Sequence, residues 1–129
     1  MSRDNETVRF GVIEQNSDGR WTGRIEETTR AAFGDRVHQI VGGWFDVAVS
    51  PDGDSLYVND EGLLIGMPLN PYAPAWFDRM LVGPMVVVGP VDSEGYEADI
   101  RDEVILQILT EFHPAVNPAI YGIEVVITD

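Results

Sequence analysis

The segment that most constrains the fold of this chain is the apolar run at residues 81–90, LVGPMVVVGP. It is the most apolar stretch of the sequence. Glycine and proline lie on both sides of its centre, which is rich in β-branched valine. The run is too short to span a bilayer, which takes about 20 residues. A short apolar run between turn residues is typical of a buried strand. The segment therefore predicts a central strand of a β-sheet.

A β-hairpin is expected near the start of the chain. Residues 7–14 alternate apolar and polar side chains until Ile13, which departs from the pattern. The sequence Asn-Ser-Asp-Gly follows at residues 16–19, and its Asp-Gly ending is a strong hairpin signal. Residues 21–25 alternate again and are expected to form the returning strand.

A first main helix is expected between Thr29 and Gly42. Either Thr28 or Thr29 can cap its start, and the glycine can end it in a left-handed conformation. Gly34 inside this helix costs about 1 kcal/mol of helix propensity relative to alanine. The expected buried face carries apolar residues at helical spacing, which are Phe33, Val37, Ile40 and Val41.

Two further helices are expected in the second half of the chain. Asn70 followed by Pro71 predicts the start of a short helix that runs to about residue 80 and turns Trp76 and Phe77 to the core. Asp99 is expected to cap a second main helix. The predicted buried stripe of that helix is Val104, Ile105, Ile108, Leu109 and Phe112.

Additional strands are expected at residues 44–49, 56–59, 63–67 and 120–127, where apolar or alternating segments lie between turn residues. Together these elements predict an α+β fold. We expect one domain over residues 1–129, with a mostly antiparallel sheet of about six or seven short strands, two main helices and one short helix.

The charge of the chain is strongly acidic and unevenly placed. There are 22 acidic and 8 basic residues, the latter all arginine, which gives a net charge of −14. Residues 1–41 hold seven acidic residues and six arginines, whereas residues 42–129 hold fifteen and two. Such a polyanion repels nucleic-acid phosphates. It favours a cationic partner, or it only keeps the protein soluble, and both interpretations stay open.

The first functional hypothesis is therefore a non-catalytic protein that binds a basic host protein through an acidic face and does not contact nucleic acid directly. A second copy of the chain could also cover an exposed strand edge, so a homodimer is a further expectation. The acidic residues expected to form the partner face are Asp92, Glu94, Glu97, Asp102 and Glu103.

The second hypothesis is a small-molecule binding protein with a nucleotide-like ligand. Asparagine amides beside a glycine-rich strand can recognise a polar ligand, although the same residues can simply close a turn or cap a helix. The residues expected to bind such a ligand are Tyr57, Asn59, Asn70, Tyr72 and Trp76.

Catalysis, metal binding and cofactors are not expected. The chain has no P-loop, no Gly-x-Gly-x-x-Gly motif, no lysine and no cysteine. Five oxygen-bearing side chains at residues 52–61 lack the order of a calcium loop and are interpreted as two solvated turns. His38 and His113 are interpreted as structural residues of the two main helices.

Several short motifs resemble a family of bacterial and phage proteins, the domain of unknown function numbered 3846. The resemblance covers about residues 37–105. Its motifs, in order, are Val41-Gly42-Gly43, Asn59-x-Glu61-Gly62, Gly66-x-Pro68-x-Asn70 and Val82-Gly83. It implies no activity, but it implies an accessory protein encoded by a phage or mobile element of a bacterium such as an actinobacterium. The absence of an apolar leader and of any membrane-spanning run favours the cytoplasm of that host cell.

Overall fold

The computed structural model describes residues 3–113, which form five β-strands and three α-helices. The strands are β1 (Thr7–Gln15), β2 (Trp21–Thr29), β3 (Phe45–Val49), β4 (Ser55–Asn59) and β5 (Met85–Val88). The helices are α1 (Arg30–Val41), α2 (Tyr72–Phe77) and α3 (Asp102–Glu111). The α+β class is confirmed, with five strands in the described part of the chain where the sequence predicts six or seven.

The strands form one antiparallel sheet in the order β2-β1-β5-β4-β3. Strand β5 lies at the centre, and its residue Val86 is paired with Val12 of β1 and with Tyr57 of β4. Every residue of β5 is buried. The central buried strand predicted from residues 81–90 is therefore confirmed, and β2 and β3 form the two edges of the sheet.

Both faces of the central strands are buried because helices cover each face of the sheet. Successive side chains of a strand point to opposite faces. Phe10 and Val12 accordingly pack in the apolar cluster that includes α1, whereas Ile13 packs in the cluster that includes α3. Ile13 departs from simple alternation of apolar and polar residues because the face of β1 that carries it is also buried, under α3.

The ends of α1 follow from local chemistry. The side chain of Thr29 accepts a hydrogen bond from the backbone N–H of Ala32 at 3.3 Å, which caps the start of the helix. Gly42 ends it with a φ of 81°, a left-handed conformation that glycine adopts without steric cost. The predicted apolar face of α1 is buried in full.

Helix α3 lies close to the sheet at two glycines. A Cβ atom built on Gly23 of β2 would lie 2.3 Å from the ring of Phe112, and one on Gly11 of β1 would lie 2.6 Å from Cδ1 of Ile108. Neither glycine has a positive φ. These glycines are therefore needed for the close approach of the helix and not for an unusual backbone conformation.

The strand predicted at residues 63–67 is wrong. The backbone N–H of Ile65 donates to the carbonyl of Glu61 at 3.0 Å, and that of Met67 donates to the carbonyl of Gly62 at 2.9 Å. Gly66 adopts a φ of 76°. The segment therefore satisfies its backbone locally in a compact turn.

The starts and ends of the two later helices also differ from the prediction. Asp99 accepts a hydrogen bond from the backbone N–H of Arg9 at 2.8 Å and does not cap α3, which begins at Asp102. Leu109 is exposed rather than buried. Helix α2 ends at Phe77, before residue 80, because Asp78 takes a left-handed conformation. The strand predicted at residues 120–127 lies outside the described residues.

Among residues 3–113, none of the helices has the length and hydropathy that a bilayer crossing requires.

Candidate interaction surface

The two asparagines predicted to bind a ligand use their side-chain amides inside the protein. Buried Asn59 donates to the carbonyl of Val41 at 3.0 Å and accepts from the backbone N–H of Glu61 at 2.8 Å. Buried Asn70 donates to the carbonyl of Gly83 at 3.0 Å and accepts from the N–H of Tyr72 at 2.9 Å. These bonds close the turn after β4 and fix the start of α2, so a ligand role for either residue stays a prediction.

The three aromatic residues of that prediction lie in two different places. Tyr57 packs in the cluster with α1 and donates to Oε1 of Glu97 at 3.2 Å, and burial raises the pKa of its hydroxyl. Tyr72 and Trp76 pack against the other cluster, with ring centroids 4.9 Å apart. The structure therefore does not bring the five predicted ligand residues together.

Four of the five acidic residues predicted as a partner face are paired with arginines. Asp92 lies 3.0 Å and Glu94 lies 3.4 Å from Nη1 of Arg3. Backbone hydrogen bonding from Tyr96, followed by the contact with Arg3, lowers the pKa of Asp92. The other two pairs are Glu97 with Arg30 at 3.5 Å and Glu103 with Arg101 at 3.2 Å.

The pairing joins parts of the chain that differ in charge. Arg3 and Arg30 belong to the nearly neutral first third of the sequence, yet both lie against acidic residues of the last third. The guanidinium of Arg3 also lies over the ring of Tyr96, 4.1 Å from its centroid. Folding therefore reduces the charge segregation seen in the sequence.

The acidic segment at residues 52–61, interpreted from the sequence as two solvated turns, is only partly solvated and includes strand β4. Asp54 is fully buried and accepts two hydrogen bonds of 2.7 Å from Arg101. In the part of the chain that the structure describes, no group of three or more histidine or acidic side chains could hold a metal ion.

Strand β3 is hydrogen-bonded on one side by β4. The N–H of Asp60 donates to the carbonyl of Trp44, and the N–H of Ser50 donates to the carbonyl of Asp54. If the pairing of β3 with β4 is continued by one residue at each end, Trp44 lies opposite Asp60 and Ser50 lies opposite Asp54. Hydrogen-bonded and non-bonded pairs alternate in an antiparallel ladder, so the even-numbered residues of this stretch bond to β4.

The odd-numbered residues of β3 therefore present their backbone to the side of the strand that no other described strand pairs with. The N–H and C=O groups of Phe45, Val47 and Val49 point away from β4. Over residues 3–113 no group forms a hydrogen bond with them. An open edge with unpaired backbone groups is a template for pairing with another chain.

Large apolar side chains are exposed beside this edge. Trp44, just before β3, is 74% exposed, and Leu63 and Leu64 in the turn after β4 are 82% and 86% exposed. Ile65 and Met80 are exposed as well. We call these five residues the apolar patch; Leu63 and Met80 line one groove beside the start of β3, and Trp44 lines another. Exposed apolar side chains near one another are candidates for an interaction surface.

Three exposed acidic residues flank the apolar patch and are called the rim acids: Asp46, Asp60 and Glu61. Asp46 belongs to β3, and the other two begin the turn that carries Leu63 and Leu64. Among the described residues no arginine lies within salt-bridge distance of any rim acid. Their negative charge is therefore available to a partner.

Two grooves lie on either side of the start of β3. One, of about 190 Å³, is lined by residues that include Asp46, Asp60, Leu63 and Met80. The other, of about 360 Å³, is lined by Gly34, Asp35, His38, Trp44 and Phe45. Neither of these two grooves is lined by an arginine, so neither offers a guanidinium to the phosphates of a nucleotide.

The fold and this edge define a small α+β protein with helices on both faces of an antiparallel sheet and an acid-flanked edge strand whose outer side is unpaired among residues 3–113. A family model described as a domain of unknown function, DUF3846, matches residues 18–113. The chain belongs to this family, which confirms the resemblance seen in the sequence. The matched region contains β3, the apolar patch and the rim acids. No curated protein and no solved structure shows significant similarity to the chain.

Proposed function

We propose that this protein is a non-catalytic binding protein that docks a basic partner protein on the apolar patch and its rim acids. The observation that carries the proposal is the combination of exposed Trp44, Leu63 and Leu64 with Asp46, Asp60 and Glu61, which have no arginine partner among the described residues. The apolar side chains stabilise a complex when binding removes them from water. The unpaired carboxylates favour a partner with a positively charged surface.

This surface supports the proposal better than the acidic face predicted from the sequence. The carboxylates of Asp92, Glu94 and Glu97 already have guanidinium partners, so a basic protein would have to compete with Arg3 and Arg30 for them. At the rim acids a basic protein would not have to compete with an arginine of the described residues. Of the predicted face, Asp102 alone has no arginine within salt-bridge distance over residues 3–113.

We propose a biological setting that agrees with what the family resemblance implies. In this proposal the protein acts in the cytoplasm of a bacterial host, as an accessory product of a phage or mobile element. The basic partner is then a host protein, which could be one whose nucleic-acid-binding site is blocked by the acidic surface. Such a blocked site would carry the positive charge that the rim acids require.

The proposal is tested by capture from a bacterial lysate on the immobilised full chain, with the captured proteins identified by mass spectrometry. We expect a basic protein to be retained at about 50 mM salt and released at about 500 mM, because screening weakens exposed charge pairs. A rim variant with Asp46→Asn, Asp60→Asn and Glu61→Gln should not retain it. A protein retained equally by the rim variant, or at high salt, would contradict the proposal.

A further inference from the structure

The open edge of β3 determines how a basic partner would be held. We infer that the partner binds as an extra strand on β3, through an extended segment in which basic and β-branched apolar residues alternate. This inference rests on the proposed function and adds the binding mode and the sequence pattern of the partner.

The backbone of β3 supplies the hydrogen bonds for an added strand. Phe45, Val47 and Val49 direct their N–H and C=O groups to the free edge. Their spacing of two residues is the spacing at which the next strand of a sheet is bonded. Strand addition of this kind takes its affinity from the main chain and its specificity from alternate side chains.

The side chains of β3 determine the pattern of the added strand. Asp46 and Ala48 point to one face of the sheet, and Asp46 lines the groove that also contains Asp60 and Leu63. Val47 and Val49 point to the other face and are about half exposed. Directly opposed residues on neighbouring strands share a face. A basic side chain on the first face and a β-branched one on the second therefore complement β3.

A second copy of this chain is a poorer occupant of the edge. A second copy would bring further negative charge to this edge, because the net charge of each chain is −14. Self-repulsion of this kind opposes association of two copies. A segment rich in lysine or arginine would instead neutralise the rim acids.

The opposite edge of the sheet does not offer the same opportunity. Strand β2 carries Arg24 and Glu26, which are ion-paired with each other at 2.7 Å. Arg36 of α1 adds a second contact of 2.7 Å to Glu26. Charged side chains held at a sheet edge oppose the addition of another strand.

The test uses the full-length chain and a fluorescent peptide of alternating valine and lysine, about eight residues long, the length of an ordinary strand. A block peptide with the same composition, four valines followed by four lysines, is the matched ligand control. Binding is measured by fluorescence anisotropy, and amide hydrogen exchange of the free and bound protein is measured by NMR.

We expect the alternating peptide to bind at least tenfold more tightly than the block peptide. The N–H groups of Val47 and Val49 should exchange freely in the unbound protein and become protected when the alternating peptide is added. Val47→Pro should weaken binding at least tenfold, because proline removes one outward N–H without affecting the bonds to β4. Val47→Thr keeps that N–H and the branched shape, and should bind within twofold of the wild type.

Other outcomes would overturn the inference. Protection of these amides in the dilute free protein would show that the chain covers its own edge, and protection that grows with protein concentration would show a second copy there. Peptide binding that survives Val47→Pro but is lost in the rim variant would contradict strand addition while leaving the proposed function standing. Equal binding of the two peptides would contradict the alternating pattern.

Discussion

Arg101 donates two hydrogen bonds of 2.7 Å to the two carboxylate oxygens of Asp54, one from Nε and one from Nη2. Asp54 is fully buried in the turn between β3 and β4, and Arg101 immediately precedes α3. The hydrogen bond to Asp54 raises the pKa of Arg101, so the guanidinium stays charged. This contact fixes the turn that ends β3 to the start of a helix on one face of the sheet.

Removal of Arg101 should destabilise the fold strongly. Arg101→Met leaves a buried carboxylate without its cation, and breaking a buried pair costs about 3 kcal/mol or more. Urea denaturation gives the free energy of unfolding of the variant and the wild type. Arg79 is exposed and forms no ion pair within the described residues, so Arg79→Met is the control and should cost less than about 0.5 kcal/mol. Equal costs for the two variants would contradict the role given to Arg101.

The contact of α3 with the sheet is tested by Gly23→Ala, with Gly34→Ala in α1 as the control. Gly23→Ala places a Cβ within 2.3 Å of the ring of Phe112, and overpacking of this kind costs about 1–3 kcal/mol. Gly34 in α1 has no atom within 4 Å of its Cβ position, so Gly34→Ala should stabilise the protein by about 0.5–1 kcal/mol. Thermal denaturation should therefore shift the two melting temperatures in opposite directions; a shift in the same direction would be evidence against this packing.

Glu26 gives the stability a predictable pH dependence. Hydrogen bonding from Arg36, and then from Arg24, lowers the pKa of Glu26 in the folded protein. The unfolded chain therefore binds the proton at higher pH than the folded protein does. The stabilisation is present in full above the ordinary glutamate pKa and is lost as the pH falls through the lowered value.

Glu26→Gln tests this dependence through urea midpoints at about pH 7 and about pH 3. We expect the variant to be less stable than the wild type at the higher pH and the difference to shrink at the lower pH. Glu27→Gln serves as control because Glu27 is half exposed and lies 3.5 Å from Arg9. A difference between Glu26→Gln and wild type that does not change with pH would contradict the ion-pair assignment.

The apolar patch should contribute little to folding. Leu64→Ser changes a side chain that is 86% exposed, so its effect on the free energy of unfolding should stay within about 0.5 kcal/mol. Leu56→Ala, at a fully buried position of β4, should cost about 2–5 kcal/mol. Calorimetry on both variants distinguishes the two roles, and a large loss of stability in Leu64→Ser would show that the patch belongs to the core.

Local signals predicted most of the fold. The capping threonine and terminal glycine of α1, the Asp-Gly turn of the hairpin and the valine-rich centre of β5 each act within a few residues, so the sequence reveals them. At residues 63–67 the sequence predicts a strand and not the observed turn, because Leu63, Leu64 and Ile65 are apolar. Their exposure depends on the local hydrogen bonds of the turn, which an apolar pattern does not reveal.

The charges could not be placed from the sequence because the pairs are distant along the chain. Arg3 meets Asp92 across 89 positions, and Arg101 meets Asp54 across 47. The sequence predicts Asp92 as part of a partner face and Asp54 as part of a solvated turn, and in the structure each has an arginine partner within the protein. The proposed partner surface uses carboxylates that folding leaves without arginines among the described residues, and the rim acids beside β3 are three of these.

The central claim is tested most directly by the affinity of three proteins for the alternating valine–lysine peptide. They are the wild type, the rim variant, and an equal-charge variant with Asp92→Asn, Glu94→Gln and Glu103→Gln, which has the same net charge as the rim variant. Anisotropy titrations at about 50 and about 300 mM salt separate a charge-dependent affinity from an unspecific one. We expect tight, salt-sensitive binding by the wild type and the equal-charge variant, and at least tenfold weaker binding by the rim variant. Binding lost in the equal-charge variant and kept in the rim variant would contradict the assignment of the site to β3.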